Sequence, residues 1–330
     1  MSNPKPPQAE EGLAVKSGAV CRVKKAGHGR PDCPARVLMS ATVTPVRLRR
    51  RRIAATSAAF LTAALTASCL VTDRDSAPAA ASTPAVPDVI AHRGASSVAP
   101  ENTLISGEVA RRAGVDWIEN DVRPSRDGVP YVLHDATVDR TTDGTGHVGK
   151  LTSAQIDALD AGSWFAPAYA GIRIPTLAAQ LADLRERGGR LLLDITGTRG
   201  KADIERIMQT VQEQQMMDRV LVQSFFPESL KQVAALAPQV PRGLLRDKLD
   251  ADPVAVAREL GVTAYNISDK SLATRPEVVA ELHDAGISVN VWTVNDPARW
   301  QALTDLGVDG IITDRSTDLV GWNAARTETR

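Results

Sequence analysis

From Asp88 onward the sequence alternates short apolar runs with longer amphipathic ones, and no other feature narrows the possible folds so far. Eight runs read as strands: Val89–Ala91, Trp117–Val122, Leu191–Ile195, Val220–Gln223, Gly243–Leu245, Ala264–Ile267, Ser288–Thr293 and Gly310–Thr313. Helical stretches lie between them, at Thr103–Ala113, Leu177–Arg187, Ile204–Gln214, Glu228–Ala237, Val254–Leu260, Glu277–Ala285 and Ala298–Leu306. Pro227, Pro253, Pro276 and Pro297 stand where helices begin, and Gly114, Gly188, Gly261, Gly286 and Gly307 where they stop. Proline suits a first helical turn, whose N–H has no partner in any case, and glycine suits the left-handed residue that closes a helix. Repeated strand–helix units imply parallel strands. Eight of them predict a closed (β/α)8 TIM barrel. An open doubly wound sheet is the rival, and the missing Gly-rich dinucleotide loop after the first strand counts against it.

One stretch breaks the alternation. Between the second strand and its helix, residues of about 135–175 carry turns at Asp143-Gly144 and Thr145-Gly146, a short helical piece near Ser153–Leu159, and the aromatics Trp164, Phe165 and Tyr169. In a barrel this is an insertion on the catalytic face.

The chain before Asp88 reads as processing sequence. Arg47-Leu48-Arg49-Arg50-Arg51-Arg52 precedes an apolar run from Ile53 to Ser68, the layout of an export signal and too short for a membrane span. Small residues then lead to Cys69, as at a lipoprotein cleavage box, although Leu65 stands one position too early. Lipidation of Cys69 and ordinary signal cleavage are equally open readings. Met39 is the expected start of translation, and the Ala/Pro/Ser-rich segment Val71–Pro87 is the expected tether. The expected organisation is leader and tether over 1–87, barrel domain over 88–322 and a tail over 323–330. Location is expected to be secreted or cell-surface, with a possible lipid anchor. Lys+Arg and Asp+Glu both count 39, so no excess of basic charge points to nucleic acid. The three cysteines, Cys21, Cys33 and Cys69, all precede the barrel, which is therefore expected to use no disulfide or thiol chemistry.

A barrel of this kind places its working residues at the C-terminal ends of its strands. His92 and Arg93 directly follow the first strand. Glu119 and Asp121 end the second, two residues apart and so on one face, with Asn120 turned away. His134 follows the apolar run Val129–Leu133, and Asp194 ends the third predicted strand with Thr196 on the same side. Carboxylates gathered in this way are hard oxygen ligands suited to Ca2+ or Mg2+. Two histidines, three carboxylates and an arginine on one rim are what phosphodiester hydrolysis needs. The cation and Arg93 hold the phosphate, one histidine deprotonates the nucleophile, and the other protonates the leaving alkoxide. Taken singly, each residue has a plainer structural role: a hydrogen-bonded histidine, a salt-bridged arginine, a helix cap at Asn102-Thr103, and wall packing for Trp292, the candidate substrate-facing aromatic. Their coincidence at strand ends is what separate structural roles do not explain.

These residues sit in ordered motifs. Ala91-His92-Arg93-Gly94 through Ala99-Pro100-Glu101-Asn102-Thr103 resembles the opening signature of the glycerophosphodiester phosphodiesterase family, secreted bacterial type. Glu119-Asn120-Asp121-Val122 resembles its Glu-x-Asp metal motif, and Val132-Leu133-His134-Asp135 with Asp139-Arg140-Thr141-Thr142 its second-histidine segment. Leu159–Phe165, Ile174–Leu177, Gln223-Ser224-Phe225, Val291–Asn295 and Gly307–Asp314 are similar to later motifs, so the resemblance runs from Asp88 to about Val320. It implies hydrolysis of glycerophosphodiesters to sn-glycerol 3-phosphate and an alcohol, with His92 and His134 as the acid/base pair and Glu119 and Asp121 on the metal. Substrates are expected to be small glycerophosphodiesters or glycerophosphate polymers. The chain departs from the family's Glu-x-Lys on the third strand, where it has Asp194-Ile195-Thr196, a shorter carboxylate and no cation. Two other readings follow. A lysophospholipase D-like or sphingomyelinase D-like enzyme would use the insertion's aromatics as an apolar mouth. A catalytically weak phosphodiester-binding lipoprotein would explain the missing Lys.

Overall fold

The computed structural model describes residues 86–328. The basic block, the apolar run, Cys69 and nearly all of the expected tether lie outside the described residues.

Among the described residues, nine strands form one sheet: β1 (Asp88–Ala91), β2 (Trp117–Pro124), β3 (Pro130–Val132), β4 (Leu191–Ile195), β5 (Val220–Ser224), β6 (Arg242–Arg246), β7 (Ala264–Ser268), β8 (Ser288–Trp292) and β9 (Gly310–Thr313). All but β3 pair in parallel, and the additional pairing of β1 with β2 closes the ring. The fold is therefore the predicted eight-stranded barrel. The strands are short and nearly all buried, as expected where both faces are covered. The third strand by sequence was not foreseen. β3 pairs antiparallel to β2 outside the ring, and its three residues carry too little periodicity to be read as a strand.

The helices are α1 (Leu104–Ala113), α2 (Ser153–Asp157), α3 (Leu177–Arg187), α4 (Lys201–Glu213), α5 (Pro227–Leu236), α6 (Pro253–Leu260), α7 (Asp269–Leu272), α8 (Val278–Asp284), α9 (Pro297–Leu306) and α10 (Ser316–Glu328). Proline opens α5, α6 and α9. Thr103 caps α1 through the Ser106 amide, satisfying one of the otherwise unpaired first-turn donors. The boundary placed at 322 falls inside α10, which runs on to Glu328. Trp322 packs edge-on against Trp300, and Asn323 donates to the carbonyl of Pro87 at 3.2 Å.

The insertion packs a small core against β3: Tyr131, Leu133, Val138, Val148, Ile156, Ala161 and Ile174. The Tyr131 hydroxyl donates to Asp157 at 2.7 Å, which ties α2 to β3. Inside the ring, Ile90, Leu192 and Ile312 form an apolar layer. Above it the inward positions become polar, beginning with Glu119 opposite Leu192 and continuing with Asp121 opposite Asp194.

Candidate active site

The strand ends bring Glu119, Asp121 and Asp194 together. One oxygen from each lies within 4.8 Å of the others, and the residues are 2%, 2% and 6% exposed. The backbone N–H of Arg93 donates to Glu119 Oε2 at 2.8 Å. Asn102 Nδ2 donates to Asp121 Oδ2 at 2.9 Å, and Thr196 Oγ1 to Asp121 Oδ1 at 3.2 Å. Asp194 Oδ1 is buried with no partner. Burial, then the charges of Asp121 and Asp194, push the Glu119 carboxyl well above its usual range. Burial and Asp121 do the same to Asp194. Three buried acids this close are costly unless a cation shares their charge. The all-oxygen donor set and the orphaned Asp194 oxygen fit a hard divalent cation.

Arg93 reaches this cluster through a strained turn. Its φ is 58°, and Gly94 follows at 82°. A Cβ on Gly94 would meet the Ser106 side chain at 2.4 Å, so only glycine lets the loop settle on the start of α1. Asn102 also takes a left-handed φ, 55°, and accepts from Asn120 Nδ2 at 3.0 Å. The cap expected at Asn102-Thr103 is present and falls to Thr103. Thr103 alone caps α1, while Asn102 orients Asp121.

Each histidine has a carboxylate of its own. His92 Nδ1 lies 2.6 Å from Asp314 Oδ1, and His134 Nδ1 lies 2.7 Å from Asp135 Oδ1. With Nδ1 engaged, Nε2 is the nitrogen left for chemistry. Burial would raise the Asp314 carboxyl, but hydrogen bonds from His92, Asn295 and Ser96 outweigh it and hold it at about 2. Arg140, and then His134, bring Asp135 to about 2 against the effect of its partial burial. Glu101 bridges the two halves of the site. It accepts from Arg93 Nη1 at 2.8 Å and from both terminal nitrogens of Arg140 at 2.7 and 2.8 Å, and Arg140 Nε donates to Asp135 at 2.7 Å. A continuous chain of charge-assisted bonds thus runs from Arg93 to His134.

A cavity of about 110 Å³ is lined by His92, Arg93, Glu119, Asp121, His134, Asp194, Gln223, Phe225, Trp292 and Ile312, among others, so every residue singled out as a site candidate meets at one place. Trp292 packs edge-on against Phe225, and its Nε1 donates to the Asn266 carbonyl at 3.1 Å, leaving its ring for the cavity. A second cavity, of about 520 Å³, shares His92 and Arg93 and extends to Trp164, Phe165 and Arg315. In the sequence Asp314, Glu101 and Arg140 stand only as parts of motifs. Asp314 was open to discovery, because it directly follows the last barrel strand. Glu101 and Arg140 are 39 residues apart, and only the folded insertion brings them together.

Comparison with known proteins agrees with this geometry. Residues 92–318 match the model of the glycerophosphoryl diester phosphodiesterase family. A glycerophosphodiester phosphodiesterase of Caldanaerobacter subterraneus is 36% identical over 239 residues, covering 70% of this chain and 96% of the relative. One from Bacillus subtilis is 33% identical over 241 residues, covering 68% and 82%. Among solved structures, an Oleispira antarctica phosphodiesterase in complex with the product sn-glycerol-3-phosphate superposes with a TM-score of 0.69 at 30% identity, covering 73% of this chain and 97% of that one. A glycerophosphodiester phosphodiesterase from Agrobacterium tumefaciens gives 0.64 at 32%, covering 71% and 99%. With a family match over most of its length and a barrel shared with these hydrolases, the chain belongs to the glycerophosphoryl diester phosphodiesterase family.

Proposed function

We propose that this protein hydrolyses glycerophosphodiesters to sn-glycerol 3-phosphate and an alcohol. Glu119, Asp121 and Asp194 would hold Ca2+ or Mg2+, and His92 and His134 would act as the acid/base pair. The observation that carries this reading is a buried acidic triad facing the same cavity as two histidines, each backed by its own carboxylate. A divalent cation bound there supplies charge neutralisation and Lewis-acid polarisation of the phosphate oxygens. Arg93 adds a fixed guanidinium, aligned by Glu101 and by Asp121 at 3.4 Å. One histidine Nε2 would take a proton from the attacking water as its oxygen bonds to phosphorus, and the other would give a proton to the departing alkoxide as its P–O bond breaks. Asp314 and Asp135 fix the ring tautomers and stabilise whichever ring is protonated.

The narrow central cavity, walled by Phe225 and Trp292, suits the three carbons of glycerol better than an acyl chain. The wider cavity beside Trp164 and Phe165 keeps a lysophospholipase D-like activity as a second reading. We also propose export, with the protein either freed by signal cleavage or held by lipid on Cys69. The test is incubation with glycerophosphocholine in added Ca2+ or Mg2+, with enzymatic detection of sn-glycerol 3-phosphate. Its release supports the proposal. Release of glycerol and phosphocholine instead, or no turnover, would reject it. Faster cleavage of lysophosphatidylcholine would favour the second reading.

A further inference from the structure

Two arginines stand beside the acidic triad without a carboxylate of their own. Arg123 is the next inward position of β2 after Glu119 and Asp121. Val122 pairs with Ile195, so one further step sets Arg123 against Thr196. Arg123 Nε donates to the His134 carbonyl at 2.6 Å, and Arg199 donates from Nη2 to the Thr196 carbonyl. Among the described residues neither arginine forms an ion pair or any other hydrogen bond, and Arg199 Nε is buried with no partner at all. Both guanidinium groups come over Gly197, where a Cβ would meet Arg199 Nη2 at 3.3 Å and Arg123 Nη1 at 3.4 Å.

Burial works against both cations; Asp121, Asp194 and Asp135 offset this in part at Arg123, while at Arg199 the charge of Arg123 adds to burial and Asp203 and Asp194 act the other way. Arginine does not shed its proton to escape such a setting. The arrangement therefore keeps two like charges close together and half-buried, and an anion between them would relieve the cost. Neither residue lines the central cavity, which sets their site apart from the groups proposed to hold the reacting phosphate. Arg123 stands one inward position farther along β2 than Asp121, and Arg199 lies in the loop between β4 and α4. Thr196, which departs from the motif by lacking a cation, uses its hydroxyl on Asp121 and its carbonyl to anchor Arg199.

We propose that Arg123 and Arg199 form an anion subsite for a second negative charge on the substrate's head group, a carboxylate or a further phosphate. The inference rests on the diester-hydrolysing function proposed above and makes these two residues its specificity determinants.

Glycerophosphoserine and glycerophosphoethanolamine differ by one carboxylate, which makes them a matched pair. A glycerophosphate dimer supplies the alternative second anion. The metal-loaded full chain should prefer one or both anionic substrates over glycerophosphoethanolamine. In Arg123→Gln and Arg199→Gln, that preference in kcat/KM should fall about tenfold, the scale of one charge-assisted bond. The loss should appear in KM, and Arg199→Lys should restore part of it. The serine and dimer arms tell a carboxylate site from a phosphate site. A preference ratio that either glutamine variant leaves unchanged, or a wild-type protein with no preference, overturns the inference. If the wild type cleaves none of the three, the proposed function fails. Calorimetry with inorganic phosphate then decides the subsite alone: weaker binding in the double glutamine variant supports it, and equal binding overturns it.

Discussion

Replacing Asp194 by Asn should move stability in opposite directions with and without metal. In chelator, the wild-type triad crowds three buried carboxyls whose oxygens lie within 4.8 Å of one another. At that separation an ionised pair repels by about 3 kcal/mol at an effective dielectric constant of about 20. Proton uptake relieves part of this, since burial and Asp121 already push Asp194 toward its neutral form. The amide removes one charge, keeps the shape, and offers its NH2 to the remaining carboxylates. We expect the metal-free variant to gain about 1–2 kcal/mol, or about 2–8 °C in Tm for a domain of this size. With cation the sign reverses. At a concentration a hundredfold above its Kd, a ligand stabilises by about 2.7 kcal/mol. If the variant binds about a hundredfold more weakly, the same concentration returns only about 0.4 kcal/mol. Differential scanning calorimetry in chelator and in graded Ca2+ reads both effects. A metal-free Tm that falls, together with an undiminished Ca2+-induced rise, would refute the placing of Asp194 on the cation.

Other outcomes follow from the same geometry. His92→Ala and His134→Ala should each lower kcat about a hundredfold or more, the usual scale of acid/base catalysis, and near-wild-type turnover would remove that histidine from the mechanism. Asp314→Asn should lower kcat with little change in KM, because Asp314 meets the ring rather than the substrate; an effect confined to KM would contradict this. Because its contacts hold the Asp314 carboxyl at about 2, below the ordinary 3.8, its stabilisation is fully present above about pH 4 and lost as pH falls toward 2. Acid titration of the Asn variant should therefore lack that part of the wild-type loss. A chain beginning at Ser82 should keep the full-length Tm and kcat, and Cys69→Ser should release the protein to the medium if lipid holds it.

The strands of the ring were legible because each is a short apolar run set off from its neighbours by helical stretches, several of them bounded by Pro or Gly. β3 was not, since a three-residue strand leaves no period to read. Nor was α7, whose four residues amount to a single turn. The metal and histidine candidates were legible because strand-end placement and period-two facing are local rules, and the structure brings all of them to one cavity. What supports them was less visible. Asp314 orients His92 across 222 residues, and Glu101 couples Arg93 to Arg140 through the insertion. Thr103 supplies the cap expected at Asn102-Thr103, while the left-handed backbone of Asn102 turns its amide toward Asp121. Such contacts depend on how distant elements pack, which local spacing does not encode.

The proposed function requires a cation on Glu119, Asp121 and Asp194. It is tested most directly by stripping the protein with excess chelator, then adding back Ca2+ or Mg2+ while sn-glycerol 3-phosphate release from glycerophosphoethanolamine is followed. Turnover should be lost in chelator and return with one or both cations. Full turnover in excess chelator would contradict it.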